Sequence, residues 1–290
     1  MSKRAFRERR KMTRKEAYKY GIQLLEEAGV QEAELDAWIL LEEATQVTRA
    51  AYYADSHKMI AEEAKTQYMQ WLAKRAMRIP LQHILGYQEF MGMKFMITPD
   101  VLIPRWDTET LVEYVEMQLQ SKAQSKVLDM CTGSGCILLS LMKRNSEIIG
   151  TAVDISNAAL DIARKNAKQL CVDADFVQSD LFEKIQGVYD VIVSNPPYIK
   201  EDEIAQLEKE VRNFDPLIAL SGGEDGLAFY RRIVDESCAY LVQGGSLVLE
   251  IGCEQAQDVS EMMKRRGFEE LQILKDLAGL DRIVHGVYNK

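Results

Sequence analysis

From residue 13 to residue 85 the apolar positions recur at helical spacing and nowhere alternate as a strand would. The stretch "TRKE" (13–16) has the form of a capping box, with Thr13 as N-cap and Glu16 three residues on. The run that follows puts Tyr20, Leu24 and Ala28 on one face before Gly29 ends it. A second helix over 32–45 carries Leu35, Trp38, Ile39 and Leu41, and a third over 62–78 carries Tyr68, Trp71, Leu72 and Met77. The pattern changes at "YQEFMGMKFMITPDVLIPR" (87–105), where alternating apolar residues around Gly92 predict a β-hairpin followed by a proline-bounded connector. Helix returns over 107–120. Beyond that, strands are expected at 126–130, 148–154, 175–180, 189–195 and 246–252, with helices at 136–145, 157–170, 225–241 and 254–266. Two more strands, 269–276 and 281–289, close the chain as an edge hairpin. Such alternation predicts a mostly parallel sheet covered by helices on both faces. The expected organisation is an all-helical domain over 1–85, a hairpin connector over 86–106 and an α/β domain over 107–290.

Composition narrows the class. With 47% hydrophobic and 28% charged residues, the balance is that of a soluble globular protein, and no apolar run reaches membrane-spanning length. A formal net charge of −9 disfavours a phosphate-backbone partner, although a local basic patch is compatible with it. The start of the chain, "MSKRAFRERRKMTRKEA", is basic but lacks the apolar core of a signal peptide; it reads as a solvated extension before the first helix, with a nucleic-acid-touching arm as the other reading. Five cysteines, none in a C-x-x-C pair, and three scattered histidines argue against a zinc site and against disulfides. Reduced thiols in a cytoplasmic protein without a metal are the expectation.

The first α/β strand runs into "LDMCTGSGC" (128–136), where Gly133 and Gly135 allow a tight turn and a close ligand approach. Asp154 ends the next strand, where a carboxylate can accept both hydroxyls of a ribose. A dinucleotide fingerprint would need a third glycine where Leu138 stands, so a pyrophosphate cofactor is disfavoured. Acidic Asp129, Asp154 and Asp180 suit a cationic nucleoside, of which S-adenosylmethionine is one. Alone, the turn also fits a purely structural strand-to-helix connection.

The fourth α/β strand ends in "SNPPY" (194–198), which places Asn195 beside the glycine turn. The side-chain carbonyl of Asn195 and the main-chain carbonyl of Pro196 offer two acceptors at fixed spacing, matching the two hydrogens of an –NH2 group on a planar system. Proline stiffness holds them in place before reaction. Two acceptors orient such a nitrogen and stabilise the positive charge it gains on attacking a methyl group. Tyr198 adds a π face for a planar substrate or a cationic centre. No base is needed before attack, because the proton leaves after transfer, and alignment alone can contribute about 7–11 kcal/mol.

The stretches "VLDMCTGSGCI", "AVDIS", "SDLF" and "SNPPYI" resemble, in order, the motifs of the amino-methyltransferases. The stretches at 80–109, "GGEDGLAFYRRI" (222–233) and "KDLAGLDRIVHG" (275–286) narrow the resemblance to the release factor glutamine methyltransferases of the PrmC/HemK type, over about residues 12–290. The resemblance implies a Rossmann-like seven-stranded methyltransferase sheet. It implies methylation, from S-adenosylmethionine, of the glutamine side-chain amide in the Gly-Gly-Gln loop of class I peptide chain release factors. By motif match, Cys131, Thr132, Gly133, Ser134 and Gly135 would wrap the methionine part of the cofactor, Asp154 would hold the ribose, and Asp180 with Leu181 would border the adenine. Asn195 and Pro196 would hold the glutamine amide, with Pro197 and Tyr198 beside it and Asn195 also next to the cofactor. The chain departs from the family pattern at Cys131 (usually Gly), Met130 (often Leu), Trp106 (usually Pro) and Leu181 (aromatic in some members).

The same turn serves exocyclic amines of adenine or cytosine in nucleic acid, which would call for a basic groove and a base-flipping pocket. A ribosomal-protein glutamine is a further alternative. A binding-only protein would be expected to carry a damaged Asn195 or glycine turn, and both are intact. The expected partner is a release factor docked on the helical domain, with no membrane, no direct nucleic acid and a monomeric chain.

Overall fold

The computed structural model describes residues 11–120 and 124–289, so the basic extension, apart from Lys11, lies outside the described residues. The chain divides into one unit ending at Leu85 and another beginning at Gly86.

The first unit is helical: α1 (Arg14–Glu27), α2 (Ala33–Thr45), α3 (Arg49–Ala54), α4 (Glu62–Ala76) and α5 (Leu81–Leu85). The capping box forms reciprocally, Glu16 N–H donating to Thr13 Oγ1 at 3.2 Å and Thr13 N–H to Glu16 Oε2 at 2.9 Å. The face that α1 buries most fully is Ala17, Gly21 and Leu25, one position on from the expected Tyr20, Leu24 and Ala28, which are half-buried. The reason is Tyr68 of α4. Its hydroxyl donates to the Ala37 carbonyl at 3.2 Å, and a Cβ at Gly21 would stand 2.0 Å from that oxygen. Only a side-chain-free position lets the helices close around a tyrosine. Similarly, Leu35 and Met77 point outward, while Trp38, Leu41, Tyr68 and Leu72 are buried. A buried Arg75–Asp36 pair at 2.6 Å joins α4 to α2.

The second unit opens with the hairpin β1 (Tyr87–Phe90) and β2 (Met93–Met96). Met91 and Gly92 at its tip have φ of 52° and 72°, as a two-residue turn matched to strand twist requires. Then follow α6 (Asp107–Leu119), β3 (Lys126–Met130), α7 (Cys136–Arg144), β4 (Ile149–Asp154), α8 (Asn157–Leu170), β5 (Asp175–Gln178), β6 (Tyr189–Ser194), α9 (Lys209–Phe214), α10 (Ala228–Ser237), β7 (Leu241–Glu250), α11 (Ala256–Arg266), β8 (Phe268–Lys275) and β9 (Asp281–Tyr288). The seven-stranded sheet has the order β5-β4-β3-β6-β7-β9-β8. Strands β3 to β7 are parallel, and β9 is antiparallel to both its neighbours.

The period of two along each strand sorts the core into two layers. Val127, Val191, Val193 and Val248 face one cluster with α6, α7, α8 and the hairpin phenylalanines. Leu128, Ile192, Leu247 and Leu249 face the other with α10 and α11. The helix expected from 225 begins only at Ala228, because Asp225 Oδ1 accepts from Leu227 N–H at 3.1 Å and Gly226 has φ of 74°. Strand β7 begins five residues earlier than expected, at Leu241 instead of 246, running through Gly244 and Gly245 where the register against β6 shifts. The short helices α3, α5 and α9 were not expected from the pattern; each is six residues or fewer, too short to show a periodic stripe. Among the described residues no helix is long and apolar enough to cross a membrane.

Candidate active site

Strand β3 leads into the turn Cys131–Gly135, where Cys131, Gly133 and Gly135 have φ of 62°, 55° and 80°. Glycine accepts this region freely, whereas the Cβ of Cys131 costs about 1 kcal/mol there. The turn is held from β4: Thr132 N–H donates to the Val153 carbonyl and Gly133 N–H to Asp154 Oδ2, both at 2.9 Å. The other Asp154 oxygen accepts from Ser156 N–H at 2.9 Å. Burial raises the Asp154 pKa, opposed by these backbone donors. A Cβ added at Gly133 would meet no atom within 4 Å, so the turn faces open space there. At Gly135 it would stand 2.9 Å from Leu139 Cδ1 and 3.2 Å from Ala163 Cβ. That glycine lets α7 begin against α8.

One cleft brings together Cys131, Gly133, Asp154, Asp180, Leu181, Asn195 and Pro197. The other expected site residues stand behind its wall. Thr132 is buried and donates its hydroxyl to Asp129 Oδ2 at 2.6 Å. Ser134 is buried and its carbonyl accepts from Asn166 Nδ2 at 2.9 Å. Gly135 caps α7, Pro196 is buried, and Tyr198 packs toward the β7–α10 core. The three acids are not equivalent. Asp180 is paired with Arg232 at 2.8 Å. Asp129 is fully buried, and desolvation pushes it up to about 7, so it is half neutral near that pH. Of these three acids, Asp154 is therefore the one on the cleft wall without a cationic partner at hydrogen-bond distance among the described residues. The Cys131 thiol is raised well above its ordinary value by burial and then by Asp154, so it remains protonated and is no nucleophile at neutral pH.

Strand β6 delivers Asn195 next to this turn, and the Ser194 hydroxyl donates to the Met130 carbonyl at 2.6 Å, fastening the two strand ends. Asn195 Nδ2 donates to Thr108 Oγ1 at 3.3 Å. The parallel register pairs Ser194 with Leu249, which sets Glu250 beside Asn195. Glu250 is 2% exposed. Burial pushes it up to about 7, opposed by the polar side chains of Thr108 and Asn195 nearby and by the charge of Arg282. Tyr198 is held by its main chain. Gln255 Nε2 donates to the Tyr198 carbonyl at 3.0 Å, and a Cβ at Gly226 would lie 2.5 Å from that carbonyl oxygen. A Cβ at Gly222 would lie 2.8 Å from Tyr198 Cα. The "GGEDG" stretch is thus a collar that lets backbone meet backbone. Burial raises the Tyr198 phenol to about 12, so it stays neutral.

Two further segments edge the cleft, 100–102 and 216–219. They are joined by Arg105, which pairs with Asp215 at 2.7 Å; the Asp215 side chain is 1% exposed. The sequence reading passed over Thr108, Glu250, Gln255 and the Arg105–Asp215 pair. The signal available was the clustering of "IPRWDTE", "GGEDG" and "LEIG" around polar residues in otherwise apolar surroundings.

Two family profiles match the chain, the PrmC N-terminal domain over residues 16–86 and the methyltransferase small domain over 107–212. Among curated relatives, the release factor glutamine methyltransferase of Agrobacterium fabrum is 38% identical over 90% of this chain and 92% of its own. The protein of the same name from Geobacter sulfurreducens is 40% identical over the same shares. Among solved structures, the T. thermophilus 16S rRNA N2 G1207 methyltransferase in complex with AdoMet and guanosine is similar in fold. Its TM-score is 0.52 at 17% identity, over 70% of this chain and 50% of that one.

Proposed function

This chain belongs to the release factor glutamine methyltransferase family, and on that basis we propose that it transfers a methyl group from S-adenosylmethionine to the glutamine side-chain amide in the Gly-Gly-Gln loop of class I peptide chain release factors. The observation that carries this reading is the meeting of Asn195, at the end of β6, with the turn that Asp154 closes at the end of β3, in one cleft.

The cleft suits the cofactor. Open space before Gly133 admits a ligand against bare backbone, Asp154 has lone pairs left for a ribose diol, and Leu181 gives an apolar wall for adenine beside Asp180. S-adenosylmethionine supplies, when bound, a methyl group made electrophilic by its sulfonium. The chain supplies the rest. Asn195 Oδ1 and the Pro196 carbonyl accept the two N–H groups of the glutamine amide and aim its nitrogen at the methyl group. As the nitrogen loses amide conjugation and gains positive charge, both acceptors bind it more tightly, which is differential stabilisation of the transition state. The proton leaves after transfer. The buried polar groups behind Asn195 and Tyr198 keep the acceptors from reorganising in that step. The helical unit docks the release factor, a role supported by its match to the family's N-terminal domain and by the position of the expected chemistry wholly in the second unit.

The test is incubation with methyl-labelled S-adenosylmethionine and purified release factor, alongside a release factor whose Gly-Gly-Gln glutamine is replaced. Label should enter the first and not the second. Incorporation into tRNA or DNA in place of the release factor would overturn the reading.

A further inference from the structure

Single apolar side chains on a surface need no explanation, but a group of bulky ones gathered at one place does. The second unit gathers such a group at the Asn195 end of its cleft. Trp106 stands between two charged neighbours, each tied to a different loop. On one side Arg105 pairs with Asp215 at 2.7 Å, just before Leu217 and Ile218. On the other Asp107 meets Arg282 at 3.4 Å, and Arg282 holds Asp276 at 2.9 Å, next to Leu277. Trp106, Leu217 and Ile218 are each more than half exposed, Leu280 is nearly half exposed, and Leu277 is fully exposed.

The loops hold these side chains outward. Asp276 Oδ1 accepts from Ala278 N–H at 2.9 Å and from Leu280 N–H at 3.0 Å, which closes a tight tip between β8 and β9. Arg282 also donates to the Ile251 carbonyl at 3.3 Å, fastening that tip to the end of β7. Two links join the group to the site. Thr108, two positions past Trp106, accepts from Asn195 Nδ2 at 3.3 Å. Ile218 lines the same cleft as Asn195. The family pattern usually has Pro where Trp106 stands, so the indole is this chain's own addition.

The position decides between occupants. A second copy of the chain seated on Ile218 would cover the mouth of the cleft and shut out a protein substrate. A glutamine that reaches Asn195 on a loop, by contrast, brings the surface around that loop over this rim. The two glycines before the glutamine carry no side chain, so the apolar contact falls to the residues flanking the loop.

We propose that Trp106, Leu217, Ile218, Leu277 and Leu280 form an apolar shelf that seats the residues flanking the Gly-Gly-Gln loop of the release factor. The inference rests on the reading above that the release factor is the substrate and that Asn195 receives its glutamine. Contact on the shelf is the same before and during methyl transfer, so it governs KM and leaves kcat alone.

The experiment uses the full chain. It measures kcat and KM for purified release factor, calorimetric affinity for S-adenosylmethionine, and sedimentation. Trp106→Ala should raise KM about tenfold and Leu277→Ser about fivefold, with kcat and cofactor affinity within about twofold of the parent. Met117→Gln removes a comparably exposed side chain about 15 Å along α6 from Asp107, and should leave KM unchanged. Leu277 is fully exposed, so its variant keeps the fold and decides alone should Trp106→Ala not fold. A KM within about twofold of the parent in Leu277→Ser, a loss confined to kcat or cofactor affinity, or an equal rise in Met117→Gln overturns the proposal. So does a parent that sediments as a dimer and dissociates in Leu277→Ser, because a second copy then occupies the shelf. If the parent puts no label into release factor, the functional reading itself fails; if it labels release factor and Leu277→Ser keeps the parent KM, the shelf fails alone.

Discussion

Asp154 Oδ2 accepts the Gly133 amide hydrogen at 2.9 Å, so the acid that ends β4 also closes the turn that ends β3. Its two oxygens each hold a backbone donor, the second being Ser156 N–H. Asp154→Ala should therefore weaken S-adenosylmethionine binding by at least about tenfold, through the loosened turn as well as the lost acceptor. Asp154→Asn, which keeps one acceptor oxygen, should fall between. Titration calorimetry reads both, and unchanged affinity in the Ala variant would remove Asp154 from the cofactor site.

Gly226 meets the Tyr198 carbonyl so closely that a Cβ would sit 2.5 Å from it, at a φ of 74° unsuited to side chains. Gly226→Ala should displace the Asn195–Tyr198 turn and reduce kcat on release factor roughly 10- to 100-fold. Cofactor affinity should change far less, because Gly226 is not on the cleft wall. Equal damage to both quantities would mean the collar supports the whole cleft and not the turn alone.

Arg105 is the ionic partner of Asp215, whose burial lifts its pKa to about 6 against the opposing pull of that arginine. Arg105→Ala removes the pull, so the folded-state pKa of Asp215 rises further above its unfolded value. A carboxyl with a raised pKa burdens the fold above that unfolded value, near 4, with the full penalty reached once pH exceeds the folded pKa. The variant should thus lose about 1–3 kcal/mol at pH 8 and distinctly less at pH 5. Thermal unfolding at the two pH values checks the sign.

Gly21→Ala in the middle of α1 sets two effects against each other. Helix propensity alone would stabilise by about 1 kcal/mol, whereas a Cβ only 2.0 Å from the Tyr68 hydroxyl should destabilise by roughly 1–3 kcal/mol. A net loss is expected. Unfolding followed by tryptophan fluorescence suits the measurement, since Trp38 and Trp71 both lie in this unit.

The architecture was readable wherever one period ran long enough: the valines alternating with leucine or isoleucine in β3, β6 and β7, and the helices α1, α2, α4 and α8. What sequence left hidden was set by distant packing. The buried face of α1 follows Tyr68, some forty residues on, and nothing in "YKYGIQLL" announces that partner. At the cleft, the glycines, Asp154 and Asn195 were legible because a turn, a strand end and two prolines restrict what can stand there. Glu250 was not, because a single acid after the three apolar residues Leu247, Val248 and Leu249 looks like the end of a strand. Its meaning comes only from the register that sets β7 against β6.

Asn166 of α8 is fully buried and joins two parts of the second unit that the chain separates widely. Its Oδ1 accepts from Met96 N–H at 2.7 Å, while its Nδ2 donates to the Met96 carbonyl at 3.2 Å and to the Ser134 carbonyl at 2.9 Å. The hairpin is therefore not interchangeable packaging between two modules. A fragment cut at 107 would leave this amide without two of its three partners, next to the glycine turn; a fragment starting at 86 would keep them. For anyone transplanting the helical unit between relatives, the seam belongs before the hairpin, and the hairpin travels with the enzyme.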